Sequence, residues 1–335
     1  LITRIEVRNF GCFDDSPYVL NLSPETFIVG PNNVGKSTFI AAYEVVAHKG
    51  FNYPLTKFSS YEQASFGHMT KSAIIVKVCA EFSGKKAQRT IEIKDTVSSK
   101  ESGSQEVVAA LDNLLKNTWY LTSMRSFVPS EEGIGGSHAT LNYIASNVVA
   151  FLLERWTSRD PNWKEVEEWL RIIDPSFVLL KTPLRGSRAS IETTRKYTNL
   201  QADVNIAFQG GGIQRALQIV SAVIFSPRGS VIMIEEPEMN LHKDTQEILV
   251  DLFNKATNEW DKQIIITTHS WDMILPIISD IGPGSRRGAE HVKADPDRFR
   301  LVRFRFQDSG INIEDYDIAK KTFRQIKDDF KLLWG

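Results

Sequence analysis

The chain has 335 residues, with 40 basic and 41 acidic side chains giving a net charge of −1, so no bulk charge points to nucleic acid or to an anionic membrane. A hydrophobic content of 42% with 24% charged residues excludes disordered and collagen-like classes, and only two cysteines, Cys12 and Cys79, exclude a disulfide scaffold and predict a reducing cytoplasmic setting. No apolar run approaches the roughly 18–20 residues of a bilayer span. The opening LITRIEVRNF carries charge where a signal peptide needs an apolar core, so neither membrane insertion nor export is expected.

Ile5 and Val7 alternate with Arg4, Glu6 and Arg8, which predicts an opening strand, and Tyr18-Val19-Leu20 resumes the pattern after a turn at Ser16-Pro17. Thr26 to Val29 predicts a short apolar strand running into Gly30, and the spacing of Phe39, Ile40, Tyr43, Val46 and Ala47 predicts a helix from Lys36 to Gly50. Strands are predicted over 73–82 and 89–93, joined by a turn at Ser83-Gly84-Lys85-Lys86. The Ser-, Gly- and charge-rich stretch 95–106 predicts an exposed connector. Next come a helix over 107–117, a strand at Trp119-Tyr120-Leu121 and a loop over 126–138. Helices are predicted over 140–157 and 162–173, broken at Asp160-Pro161, then a strand near 177–181 and a basic polar stretch over 185–196. The last third alternates: helix 213–225, strand 230–234, helix 242–257, strand 263–267. Such alternation predicts a parallel α/β sheet.

Gly30-Pro31-Asn32-Asn33-Val34-Gly35-Lys36-Ser37, followed by Thr38, fits G-x-x-x-x-G-K-[ST] between a strand and a helix. Loop amides and the helix N-terminus face the phosphates of a nucleotide; Lys36 is expected to reach the β/γ-phosphates and Ser37 to ligate Mg²⁺. The apolar run Ser230 to Ile234 ends in Glu235-Glu236-Pro237-Glu238, the layout of a Walker B segment. Glu235 is assigned to the metal shell and Glu236 to the attacking water, with Glu238 as the alternative base or a loop residue. A second apolar run, Gln263 to Thr268, ends in His269, whose imidazole is placed to hydrogen-bond the γ-phosphate, while Ser270 is read as a helix cap. Phe208-Gln209-Gly210-Gly211-Gly212-Ile213-Gln214-Arg215 is a glycine turn opening an amphipathic helix, and its amides can bind a phosphate.

Taken in order, these four segments resemble the head of an ABC-type ATPase: Walker A, signature, Walker B and switch His. Residues 208–215 are similar to L-S-G-G-E-x-Q-R, with Gln209 in place of the Ser that touches the γ-phosphate held by the other subunit, and Glu235 replaces the usual Asp. Trp119 to Pro129 is similar to Y-L-x-x-x-R-x-x-x-P, which implies a nucleotide- or interface-facing Arg125. The opening I-x-x-I-x-V-x-N-F, the G-P-N-N-x-G-K-S loop, E-E-P-E-x-x-L-H and I-T-T-H-S match the SMC-like and OLD-like branch, which includes stand-alone anti-phage ATPases of Septu-type and retron-associated systems. The resemblance implies an α/β head with an antiparallel β-lobe, a parallel P-loop core and a mixed sheet, binding ATP with Mg²⁺. It also implies a homodimer in which each nucleotide lies between one Walker A and the opposing signature turn of Gln209, Gly210, Gly211 and Gly212. Residues 1–95 form the expected first lobe with Walker A, 96–200 a short helical insertion with connecting strands, and 201–335 the second lobe.

No sustained heptads appear between Ser37 and Phe208, so long coiled-coil arms are not expected. The stretch after His269 is too short for an OLD-type nuclease domain, and Asp295-Pro296-Asp297 is read as a turn, so no nuclease activity is expected of this chain itself. Asn254-Lys255-Ala256-Thr257 lacks the Asp of a guanine-specificity motif, which argues against GTP. Tyr316, Ala319, Phe323, Ile326, Phe330 and Leu333 form an apolar stripe expected to pack on the body of the protein. Arg286, Arg287, Arg298, Arg300, Arg303 and Arg305 form either a solvated basic face or a DNA or RNA contact. The functional expectation is a slow, dimerising ATPase switch for a separate effector, a nuclease or toxin, in anti-phage defence. A RecF-like DNA-repair ATPase and a static ATP-bound scaffold are the alternatives.

Overall fold

The computed structural model describes residues 1–49, 64–65, 72–94, 96–122, 148–185, 188–197, 200–281, 295–307, 310–318, 320–321 and 323–334. The first half runs β1 (Ile2–Arg8), β2 (Tyr18–Asn21), β3 (Glu25–Val29), α1 (Lys36–His48), β4 (Ile74–Phe82), β5 (Lys85–Ile93), β6 (Val97–Ser102), α2 (Gln105–Lys116) and β7 (Trp119–Leu121). After it come α3 (Val148–Thr157), α4 (Trp163–Ile173), β8 (Phe177–Lys181), β9 (Leu184–Arg185), β10 (Arg188–Ala189), β11 (Glu192–Tyr197), β12 (Leu200–Asn205) and α5 (Gly211–Phe225). The chain then continues through β13 (Val231–Glu235), α6 (Lys243–Glu259), β14 (Gln263–Thr268), α7 (Trp271–Ile281), β15 (Phe299–Gln307), β16 (Gly310–Asp315) and α8 (Phe323–Trp334).

The central sheet is ordered β16-β15-β3-β14-β13-β7 and is parallel except for the β15–β16 hairpin. Strands β3, β13 and β14 are buried at every residue, as strands covered on both faces must be. Their side chains alternate between two cores. Phe27, Ile232, Ile234, Ile264 and Ile266 join helices α5, α6 and α7 in one core. Ile28, Val231, Met233 and Ile265 face the other, shared with α1 and a second sheet.

That second sheet is antiparallel, ordered β2-β1-β4-β5-β6. In β4 and β5 buried and partly exposed residues alternate, the period-2 pattern of a sheet with one covered face. The two strands pair from Phe82↔Lys85, so the turn has two residues, Ser83 and Gly84, at φ 49° and 78°. The Gln263 carboxamide ties the two sheets together: Ile2 N–H donates to Oε1 at 2.8 Å, while Nε2 donates to Ile2 O at 2.7 Å and Ser23 O at 3.1 Å.

The fold is the expected mixed α/β head, with three local differences. The stretch read as an exposed connector contains β6, an edge strand whose residues are almost all exposed, so no hydrophobic pattern marks it. The basic polar stretch over 185–196 carries the end of β9, all of β10 and most of β11, and β11 sits centrally in a three-stranded antiparallel sheet ordered β12-β11-β8. The arginines from 298 to 305 lie in or beside β15 and are partnered: Arg300 with Asp315 at 2.6 Å, Arg303 and Arg305 with Glu314, and Arg298 with Thr257 O at 2.5 Å. Of the apolar stripe, Tyr316, Ile326 and Phe330 are buried in the core beside α7. Asp295 and Asp297 lie in a turn before β15, where the Asp297 N–H donates to Asp295 Oδ1 at 3.0 Å. Among the described residues no helix is long and apolar enough to cross a membrane.

At the end of the parallel sheet away from the P-loop, burial raises the Glu25 carboxyl to about 8, the Thr257 hydroxyl donates to it at 3.2 Å, Asp280 raises it further and Arg298 opposes. Folded protein therefore keeps a proton that the unfolded chain releases near the ordinary glutamate value of about 4.3. The stabilisation is complete below that value and is lost as pH rises through about 8. Urea denaturation across pH 5 to 9 is expected to show this decline, and Glu25→Gln should flatten it; an unchanged slope in the variant would exclude Glu25 as its source.

Candidate functional site

The parallel register brings three strand ends to one edge. Val29 pairs with Thr268, and Thr267 pairs with Glu235, so the chain leaves β3, β14 and β13 at one level into Gly30, His269 and Glu236. Strand ends at the carboxyl side of a parallel sheet are where such folds place ligands.

The loop from Gly30 to Gly35 turns β3 into α1. Gly35 precedes the helix at φ 96°, a conformation that side-chain-bearing residues rarely adopt, and a Cβ there would stand 2.6 Å from Cys12 Sγ. Lys36 Nζ donates to Gly30 O and Pro31 O, both at 2.7 Å, which curls the loop over its own lysine. Burial lowers the Lys36 ammonium below its ordinary value, while the charges of Glu236 and Glu238 act to keep it protonated.

An open cleft of about 810 Å³ lies over this loop, lined by Cys12, Asn32, Asn33, Gly35, Lys36, Ser37, Thr38, Glu236, Met239 and His269. The predicted loop residues thus meet the predicted base and switch histidine in one place. Glu235 is 1% exposed and lies beneath the rim, its carbonyl accepting from Arg215 Nη2 at 2.7 Å. Glu236 takes φ 46°, an uncommon conformation for a residue with a side chain, held by its N–H donating to Thr267 O at 2.8 Å. The oxygen donors within this segment, the Ser37 hydroxyl and carboxylates, suit Mg²⁺, a hard cation that takes few protein ligands beside phosphate and water. No group of three or more His, Cys, Asp or Glu side chains able to hold a metal occurs among the described residues.

The signature turn lines a different cleft, of about 530 Å³, with Phe208, Gln209, Gly210, Gly212, Asn240 and His242 on its wall. The Gln209 carboxamide is engaged within its own subunit: Arg195 donates to its oxygen, and its nitrogen donates to Thr193 Oγ1 and, at 3.4 Å, to Val204 O. Arg195 is held in turn by Asp174 and by the Ser176 hydroxyl at 2.8 Å. What the turn presents is the first turn of α5, where amides have no intrahelical acceptor. Phe208 beside it is 86% exposed.

The loop from Glu236 to His242 is the partition, since Met239 lines the first cleft and Asn240 the second. Arg215, buried on α5, ties the signature helix to this region by donating to Glu235 O and, at 3.0 Å, to Thr122 O. Burial lowers its guanidinium to about 10 against the raising effect of Glu238, Glu235 and Glu236. Ser270 directs its hydroxyl to Gln246 Oε1 at 2.6 Å, at the start of α7. Arg125, Arg286 and Arg287 lie outside the described residues. Cys12 and Met239 were not anticipated as lining residues; no local pattern distinguishes them, because only the tertiary fold brings them to the loop.

A strand–loop–helix phosphate loop beside a carboxylate-tipped strand and a histidine-tipped strand defines a P-loop ATPase with an ABC-type head. The chain belongs to the family described as "AAA domain, putative AbiEii toxin, Type IV TA system", whose model matches residues 26–275. The fold is similar to the SMC head domain from Thermotoga maritima, with a TM-score of 0.52 and 14% identity over 94% of this chain and 99% of that one. It is also similar to an SMC head bound to the C-winged helix domain of ScpA, with a TM-score of 0.64 and 12% identity over 97% and 99% of the two chains. Among curated proteins, the energy-coupling factor transporter ATP-binding protein EcfA2 of Spiroplasma kunkelii is 31% identical over 71 residues, 21% of this chain and 23% of that protein. The corresponding protein of Mycoplasma capricolum subsp. capricolum is 24% identical over 134 residues, 35% of this chain and 44% of that protein. The chain therefore spans less than half the length of either relative.

A Cβ on Gly212 would stand 2.6 Å from Asn240 O, a backbone atom, whereas one on Gly210 would meet nothing within 4 Å. Gly212→Ala is expected to destabilise the protein by about 1–3 kcal/mol through forced backbone displacement. Gly210→Ala should stay within about 1 kcal/mol, the scale of an N-cap exchange. Paired urea titrations check this, and equal effects would contradict the close approach.

Proposed function

We propose that this chain is a dimerising ATPase whose two half-sites, the P-loop cleft and the signature cleft, form a complete site only between two copies. The observation that carries the reading is the separation of the two clefts by the Glu236–His242 loop within one chain. In each complete site the loop amides of residues 30–35 and Lys36 bind the phosphates, Thr38 extends the cradle, and Ser37 with Glu235 holds Mg²⁺. The metal supplies charge neutralisation at the phosphate oxygens. Glu236 orients and polarises the attacking water, and His269 approaches the γ-phosphate. The signature turn of the second copy, Gln209 to Gly212, caps the site through its amides, with Arg125 facing the nucleotide or the interface. Lobe I (1–95), the insertion (96–200) and lobe II (201–335) act as one composite ATPase domain.

The proposed role is a slow cytoplasmic switch that senses a nucleic-acid or phage signal and controls a separate nuclease or toxin in anti-phage defence. The family description, which names a toxin–antitoxin system, supports pairing with an effector, and the SMC head bound to a ScpA domain supports a head that docks a second protein. A static ATP-bound scaffold is the second reading, favoured by the inward engagement of the Gln209 side chain.

Light scattering on Glu236→Gln with and without Mg-ATP tests the reading, since slowed turnover should trap the assembled pair. An ATP-dependent doubling of mass, abolished by Lys36→Ala, is expected. A mass indifferent to ATP would contradict the switch.

A further inference from the structure

Three carboxylates end the β13 segment, and their environments differ. Glu236 lines the cleft with a side chain 28% exposed, whereas Glu238 is almost enclosed at 6%. Glu238 Oε1 accepts the Thr268 hydroxyl at 2.7 Å and the His269 backbone N–H at 2.9 Å. The same oxygen stands 3.3 Å from His269 Nδ1, and Glu236 Oε1 stands 3.7 Å from that nitrogen. Nδ1 is buried with no hydrogen-bond partner of good geometry, yet the imidazole side chain is 40% exposed and lines the cleft. The exposed edge of the ring is therefore the one that carries Nε2.

We propose that Glu238 is a positioning residue that fixes His269 with its proton on Nδ1 and so directs Nε2 into the phosphate cleft. A neutral imidazole has one N–H and one lone pair. A lone pair on Nδ1 would lie within 3.7 Å of two carboxylate oxygens, a repulsive arrangement in a partly buried site; an N–H there is attracted by both. The main-chain bond from His269 to Glu238 adds a second anchor, so one carboxylate sets both the height of the residue and the orientation of its ring. The consequence is a division of labour. Glu236 remains available to water, while Glu238, whose charge also bears on Lys36 and Arg215, reaches the phosphate cleft by positioning His269. With Nδ1 protonated, a neutral ring offers an acceptor at Nε2, and a bond to a phosphate oxygen requires the doubly protonated ring. The tautomer follows from the protein's own side chains; its bearing on turnover rests on the ATPase reading above.

The test uses the full chain labelled with ¹⁵N-histidine, without nucleotide, in long-range ¹H–¹⁵N spectra at pH 8, with His269 assigned by the signal lost in His269→Gln. The expected spectrum has a pyrrole-type Nδ1 and a pyridine-type Nε2, and Glu238→Ala should abolish that preference. A wild-type His269 protonated on Nε2, or an unchanged Nδ1–H form in Glu238→Ala, would overturn the proposal. The wild-type spectrum decides even if the alanine variant does not fold. In turnover assays, Glu238→Ala should lower kcat roughly 10–100-fold, with KM for ATP within about threefold, and Glu238→Asp should recover part of the loss. A raised KM at unchanged kcat would contradict a positioning role. An absence of turnover in the wild type would sink the ATPase reading alone, because the tautomer is read from the spectrum.

Discussion

The parallel pairing of β3 with β14 and of β14 with β13 is the constraint on which the site depends. None of the three strands is assigned a functional side chain along its middle; each is buried at every residue. What they contribute is level. Because their registers are tied residue by residue, the loop from Gly30, His269 and the carboxylates that follow β13 leave the sheet at one height. The two cores on either side prevent slippage, since a one-residue shift would exchange the faces of Ile264, Ile265 and Ile266 between them.

On that platform the Glu236–His242 loop does two things at once. It supplies a wall to each of two clefts, and it is fixed from below by Arg215, from the side by close packing of Gly212 on Asn240, and at its centre by the Thr268 and His269 bonds to Glu238. Movement of the signature helix is thereby tied to the carboxylates beside the phosphate loop through a short, mostly buried set of contacts. An unusual backbone conformation at Glu236 is retained inside this frame. Strained conformations persist where surrounding bonds over-determine them, and here those bonds join the strand tips to the helix that carries the glycine turn.

The sequence was most legible where chemistry and hydrophobic pattern coincide. The phosphate loop, the Glu235-Glu236 carboxylates and His269 each come at the end of a short run centred on apolar residues, so strand and chemically distinctive end could be read together. Legibility failed where pairing is made by backbone and charge. Strand β6 is almost wholly exposed and has no apolar face, while β15 presents alternating arginines that belong to cross-strand partners on β16, notably Glu314 and Asp315. Long-range side-chain partners were equally hidden. That Gln209 bonds to Arg195 and Thr193, that Gln263 joins two sheets through Ile2 and Ser23, and that Cys12 meets the phosphate loop all depend on residues distant in the chain.

In the proposed dimer, the signature turn of one copy covers the phosphate loop of another. The most direct measurement mixes two chains lacking Cys12 and Cys79, one carrying Phe208→Cys beside the exposed turn and the other Asn33→Cys on the loop, both with Glu236→Gln. A short thiol cross-linker should give a mixed covalent dimer only with Mg-ATP, and none when Lys36→Ala is added. Nucleotide binding without a mixed cross-link, or a cross-link indifferent to nucleotide, would contradict the composite site.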